Sequence, residues 1–464
     1  MSVDATERTE PVDRARKSRI APHFFLVLEG GRLGGGGVRV ALGNVTRLRL
    51  GRGDGRSLHR EGGEVTLLIP DVRMSADHAW VVAADGAFQL EDRGSTNGAI
   101  VNGTALAQGA KRVLRDGDIV ELGQTVFLYR ELLTDDAQAT RDLELDPSRD
   151  DAGMSTLDPG LAHRLALLGR VAASPISLLL RGETGTGKEV LARAIHRLSL
   201  RPGPFVAVNC GAIPANLVES HLFGHVRGGF SGAVKDEPGV VRAAHQGTLL
   251  LDEIGDLPAS SQAALLRVLA EGEVVPVGSA QVARVDVRIV AATHVPLERL
   301  IESGGFRQDL YARLAGYVFT LPPLRERTMD IGVLAASMLA TGTLDCPPGL
   351  RIHREASRAL LRHDWPMNVR ELGQCLRAVG ALAEDGKVMV DDLPEALRRA
   401  AARGEPSNEA STPDDADEAL RRELLARFAE ARGNVSDVAR AMGKARQQIQ
   451  RWVRRFDIDP DRFR

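Results

Sequence analysis

Two groups of residues have the types and spacing for phosphate chemistry. The first is Gly182-Glu183-Thr184-Gly185-Thr186-Gly187-Lys188-Glu189, which follows the apolar run ISLLLR and precedes EVLARAIHRL. Glycines so placed let backbone N–H groups wrap phosphates at a helix N-terminus, and Lys188 would set its ammonium against the β- and γ-phosphates. A Ser or Thr ordinarily follows that lysine and binds Mg2+; here it is Glu189, so that hydroxyl is absent. The second group is Gly247-Thr-Leu-Leu-Leu-Asp252-Glu253, an apolar strand that ends in two carboxylates. In an α/β sheet such an end faces the ligand crevice, where Asp252 would hold Mg2+ and Glu253 would orient the attacking water. Together the two groups predict an ATPase that uses ATP and Mg2+.

The elements that must position them divide the chain into blocks. Residues 134–153 carry seven acidic and two basic side chains, and residues 401–418 are similarly acidic with two prolines. Both read as flexible linkers, because such segments bury too little surface to offset their ordering entropy. The expected domains are therefore 22–131, a linker 132–155, 156–400, a linker 401–416, and 417–458. The first is punctuated like an all-β domain, with HFFLVLEG, VRVALG, RLRLGRG and VTLLIP separated by Gly, Asp and Asn. The second alternates buried-strand runs (FVAVNC, GTLLLDE, VRIVAAT) with helical stretches, the pattern of a parallel α/β sheet. The third is helical, with Ile449, Trp452, Val453 and Phe456 on one apolar face.

The chain has 464 residues, with 60 basic and 62 acidic side chains, a formal charge of −2. That balance excludes a protein that grips nucleic acid through overall charge, though not one with a local basic patch. From Arg432 to Phe456 seven residues are basic and only Asp437 is acidic, which is such a patch. Cys210, Cys346 and Cys375 offer neither a disulfide framework nor a zinc knuckle. No apolar run is long enough to cross a membrane and the N-terminus lacks a secretory signal, so a soluble cytoplasmic protein is expected.

The middle block resembles the AAA+ domain of bacterial enhancer-binding proteins, the ATPases that remodel RNA polymerase carrying sigma-54. The phosphate loop of that family reads GETGTGKE or GESGTGKE, so Glu189 is usual there. The resemblance implies that Asn209 in FVAVNC is a switch coupling Glu253 to the remodelling loops. It makes Thr293 in IVAATH the first sensor, with His294 in place of the usual Asn. Arg307 and Arg313 in FRQDLYARL match arginine fingers that reach a neighbouring subunit's γ-phosphate, and Arg370 in WPMNVREL matches the second sensor in a helical lid. A ring, expected to be a hexamer, follows. The family's GAFTGA loop, whose Phe and Thr touch sigma-54, corresponds to Gly228-Gly-Phe230-Ser231-Gly-Ala233. Phe230 would be a mobile hydrophobic probe; Ser231 loses a methyl, and Gly229 replaces Ala and adds backbone freedom.

The first block resembles a forkhead-associated (FHA) domain, a β-sandwich that binds phosphothreonine peptides. Gly51-Arg52, Arg73-Met-Ser75-Ala-Asp-His78, Gly94-Ser-Thr96-Asn97-Gly98 and Val101-Asn102-Gly103 carry the likeness in the family's order. It implies that Arg52 and Ser75 hold the phosphate, Thr96 and Asn97 fix the peptide backbone, and His78 and Asn102 brace the loops. Ala76 stands where many members have Arg, Lys or Asn. An Arg fork and hydroxyl donors are what phosphate oxygens require. The last block resembles the Fis-type helix-turn-helix. With its apolar face buried, Gln447, Gln450, Arg451 and Arg454 point outward, and with Arg446 they are the expected DNA-binding residues.

The expected protein is an ATP-dependent transcriptional regulator that binds upstream DNA and opens promoters with the sigma-54 holoenzyme under phosphothreonine control. Thr134, Thr140 and Thr156, around the acidic linker, are candidate phosphorylation sites for that control. The alternative is a repressor or sigma-54-independent regulator whose GGFSGA loop does not engage sigma-54.

Overall fold

The computed structural model describes residues 19–134, 141–146, 154–230, 232–344, 349–383 and 386–402, with Phe428, Ala431, Asn434, Asp437 and Val438 beyond them. An all-β sandwich comes first, then an α/β domain with helices appended as a lid. The candidates Ser231, Thr140, Arg446, Gln447, Gln450, Arg451 and Arg454 lie outside the described residues, as does Cys346.

The sandwich packs a seven-stranded sheet on a six-stranded one. Alternation sets its core: in the strand Glu64–Ile69, Val65, Leu67 and Ile69 are buried while Glu64 is exposed. The long strand Arg19–Leu28 pairs antiparallel with Thr125–Thr134 and Gly37–Ala41. Phe24 and Leu26 of that strand, with Phe127 and Tyr129 opposite, fill the sandwich interior. Their neighbours Phe25, Val27, Val126 and Leu128 face the other way and enter a second core, shared with the lid. A strand covered on both faces reads as a continuous apolar run, which is why HFFLVL and VFLY do not alternate.

The expected linker is in part a strand. Leu143–Leu145 pairs antiparallel with Gly37–Ala41 at the sheet edge. Its charge does not prevent this, because Asp142 receives two hydrogen bonds from Arg60 (2.7 and 2.6 Å) and Glu144 one from Arg56 (2.7 Å). The expectation of a wholly flexible acidic linker is corrected to that extent.

The α/β domain is a five-stranded parallel sheet in the order Phe205–Asn209, Thr248–Asp252, Arg288–Thr293, Leu178–Arg181, Tyr317–Thr320. The central strands are buried throughout their apolar residues, with helices Pro159–Ala172, Lys188–Ser199, Ala259–Glu271 and Gln308–Leu314 around them. The lid comprises helices Ile331–Ala340, Arg354–Arg362, Asn368–Leu382 and Glu395–Ala402.

Sandwich and lid meet closely. A Cβ on Gly332 would lie 1.8 Å from the Val27 carbonyl oxygen, so only glycine fits. The Ile352 amide donates to the Gly31 carbonyl at 2.7 Å. Beside this apolar part runs a polar one. Arg358 donates to the buried Glu121 at 2.8 Å, Arg362 to the Asn102 carbonyl at 2.9 Å, and the Arg354 amide to the Gln124 side chain at 3.2 Å. Thr156, expected as an accessible phosphorylation candidate, is buried; its hydroxyl donates at 2.6 Å to Asp330, which also accepts from the Leu157 amide. Burial pushes that aspartate up to about 6.

Candidate functional site

The phosphate loop takes its shape from three glycines with positive φ: Gly182 (152°), Gly185 (78°) and Gly187 (106°). At Gly185 a Cβ would meet the Met367 carbonyl oxygen of the lid at 2.2 Å, so the loop and lid touch through backbone. Helix Lys188–Ser199 starts directly behind it. Lys188 is buried and donates to the Gly182 carbonyl at 2.9 Å and the Glu183 carbonyl at 3.3 Å. Burial lowers its pKa, opposed by the nearby carboxylates of Glu253 and Asp252.

A cavity of about 240 Å³ lies over the loop, lined by Thr184, Lys188, Asp252, Glu253, Val369 and Arg370 among others. A second, of about 400 Å³, is mainly apolar and lined by Met154, Leu161, Leu165, Leu321, Met338 and Val369 among others. The two share Gly187, Val190 and Val369, so a polar half carrying charges of both signs adjoins an apolar one. That division suits a nucleotide, phosphates on one side and base on the other. The apolar half went unseen in the sequence because its lining comes from four segments across the domain and lid, with no local motif.

Asp252 ends its strand, and its pKa is raised by burial first and by the like charge of Glu253 second. Two adjacent carboxylates so disposed suit a hard cation that also takes phosphate oxygens, the binding mode of Mg2+. Glu253 adopts a left-handed φ of 50°. One of its oxygens lies 2.5 Å from Nδ1 of His294. Asn209 aligns with Asp252 in the adjacent strand, and its Oδ1 accepts from the Ala212 amide at 3.1 Å. The side chain that Glu253 meets is His294. Thr293 is buried, with its hydroxyl bonded to the Val295 backbone. Arg370 reaches the phosphate side, and its amide donates to the Gly185 carbonyl at 3.3 Å. Glu189 pairs with Arg193 at 2.7 Å on the helix surface.

The lid is clasped to the loop by residues not singled out from the sequence. Arg325 donates to both oxygens of Glu183 (2.8 and 2.7 Å), and the buried Asn368 donates to Glu183 and to the Thr184 carbonyl. The Arg325 guanidinium, ahead of Asn368, holds the Glu183 carboxyl down at about 2. Arg307 and Arg313 do not line the phosphate cavity of their own chain. Arg307 is exposed and bonded twice to Asp309 (3.0 and 2.6 Å), while Arg313 is exposed on the last turn of its helix.

The loop expected to touch sigma-54 is a tight turn, with the Gly228 amide donating to the Ala233 carbonyl at 2.9 Å. Phe230 is half-buried, edge-on to His225 at 5.0 Å between centroids. A Cβ on Gly229 would lie 2.6 Å from the Val277 carbonyl oxygen, so close approach, not added freedom, accounts for glycine there.

In the sandwich, the four expected recognition residues converge. The Arg52 amide donates to the Ser75 carbonyl at 2.9 Å, the Thr96 amide to the Ser75 hydroxyl at 3.2 Å, and the Asn97 amide group to the Arg73 carbonyl at 2.8 Å. His78 is buried and accepts from the Ser75 amide at 3.0 Å; its desolvation lowers its pKa and favours that neutral state. Asn102 bonds Asp118 and the Ile119 amide.

Comparison with known proteins matches four stretches of the chain to families. Residues 155–320 match the sigma-54 interaction domain family, 325–410 an AAA+ ATPase lid domain, 48–123 the FHA domain and 415–460 a homeodomain-like domain. The acetoin catabolism regulatory protein of Cupriavidus necator is 45% identical over 66% of this chain and 47% of its own. The DNA-binding transcriptional regulator NtrC of Salmonella typhimurium is 43% identical over 58% of each chain. NtrC of Proteus hauseri is 37% identical over 65% of this chain and 69% of its own. The chain thus spans about half the length of the first two relatives. No helix among the described residues is long and apolar enough to cross a membrane.

Proposed function

The chain belongs to the family of sigma-54-interacting AAA+ transcriptional regulators, and we propose that it hydrolyses ATP to remodel the sigma-54 RNA polymerase holoenzyme for promoter opening. The observation that carries this reading is the joined pair of cavities, in which Lys188, Asp252, Glu253 and Arg370 face one space. In it Lys188 and the loop amides hold the phosphates, and Glu253 orients the water. Asp252 would hold Mg2+, which neutralises charge on the phosphate oxygens. Arg307 and Arg313 act on a neighbouring subunit in a ring, taken to be a hexamer. The domains follow the boundaries set out from the sequence, apart from the paired strand in the first linker, and the protein works in the cytoplasm.

The C-terminal domain would bind upstream DNA through Arg446, Gln447, Gln450, Arg451 and Arg454. The FHA domain would take a phosphothreonine peptide on Arg52, Ser75, Thr96 and Asn97. Its signal has a short route to the motor. The recognition segment is braced by Asp71, which accepts from the Gln124 amide at 2.7 Å, and the Gln124 side chain accepts from the start of lid helix Arg354–Arg362. The lid in turn carries Arg370 and the clasp on Glu183.

Phe230 and Ser231 would make the contact with sigma-54. Purified full-length protein is expected to form open complexes with sigma-54 holoenzyme only with hydrolysable ATP. Phe230→Ala should abolish opening while ATP turnover continues. Turnover and promoter binding without opening would instead support a repressor or a sigma-54-independent regulator with a non-productive GGFSGA loop.

A further inference from the structure

We infer that His294 is the positioning residue for Glu253, in a role that depends on a side-chain N–H donor at the end of its strand. The inference rests on the ATPase reading of the cavity. An ionised carboxylate can only accept, so in the 2.5 Å contact with it His294 carries a proton on Nδ1 and donates it to one carboxylate oxygen. Glu253 also lines the phosphate cavity, which leaves its second oxygen for a water.

The backbone explains why the carboxylate needs holding. Glu253 follows the last residue of its strand in a left-handed conformation, before the short turn Ile254–Asp256. No helix or strand hydrogen-bond ladder fixes its side-chain direction there. Asn209, the residue that the family likeness makes the switch for Glu253, accepts from the Ala212 amide through Oδ1, and the side-chain contact that Glu253 makes is with His294. His294 begins where strand Arg288–Thr293 ends, beside the strand of Asp252, so its ring reaches across the crevice from a rigid base. Its side chain is 44% exposed, so it is held by this one bond and not by core packing. Removing the ring therefore frees Glu253 without opening a cavity.

The test is steady-state ATP hydrolysis and nucleotide affinity of the full chain, with His294→Ala, His294→Asn, Glu253→Gln and His294→Ala/Glu253→Gln. His294→Ala is expected to lower kcat by on the order of 10²-fold, the scale of a misplaced reacting group, with KM and ADP affinity near wild type. His294→Asn, which can still donate, should recover most of the rate. In the Glu253→Gln background, His294→Ala should cost nothing further, because residues acting through one group are non-additive. A His294→Ala enzyme with wild-type kcat, or one whose loss persists undiminished in the Glu253→Gln background, would overturn the inference while leaving the ATPase reading intact. Wild-type turnover in Glu253→Gln itself would overturn both.

Discussion

Arg313→Ala is expected to lower ATP turnover by about 10³-fold or more while ATP still binds. Arg313 is exposed, lies outside its own phosphate cavity, and is paired with no carboxylate among the described residues. A guanidinium in that state is available to a second subunit, where it would meet charge developing on the transferring phosphoryl. Arg307, by contrast, must first leave Asp309, which holds it with two hydrogen bonds. The trans geometry has a distinctive consequence. Mixing Arg313→Ala with Lys188→Ala, each inactive alone, should restore part of the turnover, since one subunit supplies the phosphate loop and the other the finger. A rate lost together with ATP affinity, and not restored by mixing, would put Arg313 within its own subunit's site.

The second large effect concerns the seam between the sandwich and lid. Arg358→Ala should destabilise the protein by about 3–5 kcal/mol, because it leaves Glu121 buried without its main cation. Replacing both partners with leucine should recover most of that loss, since a buried pair gains little over apolar packing. The pH dependence has a definite sign. Burial raises the Glu121 pKa, while Arg358 and then Arg354 hold it back. The folded state therefore keeps a proton that the unfolded chain has lost, so this group's contribution falls as pH rises from the ordinary carboxylate value through the folded one. Arg358→Ala should push that window to higher pH. Urea midpoints measured at several pH values would show it; a midpoint that is unchanged in Arg358→Ala would mean that the seam does not contribute to folding.

Much of the site is legible in the sequence because its parts are local. A glycine-rich loop between strand and helix, and two carboxylates at a strand end, each occupy a few consecutive residues whose chemistry is fixed by type. The rim of Arg52, Ser75, Thr96 and Asn97 can be read from ordered short motifs for the same reason. The apolar cavity and the seam are different in kind, since both are made of residues brought together only by folding. Phe25 and Val27 look like sandwich core until the second face of their strand is seen to be covered. The run HFFLVL does carry a trace of this, in its lack of alternation. Two residues in the linker show the opposite failure: composition makes Asp142 and Glu144 look solvated, whereas Arg60 and Arg56 hold them.

We propose that phosphopeptide recognition and nucleotide handling are coupled because the sandwich and lid share a core. Coupling between two ligands is reciprocal, so it can be read as a change in nucleotide affinity. The measurement is binding of a fluorescent ADP analogue by the full chain, with and without a pool of degenerate peptides carrying one fixed phosphothreonine. A shift of about fivefold or more is expected with the phosphorylated pool. None is expected with the unphosphorylated pool or in Arg52→Ala. Peptides that bind the wild-type chain and leave its ADP affinity unchanged would contradict it.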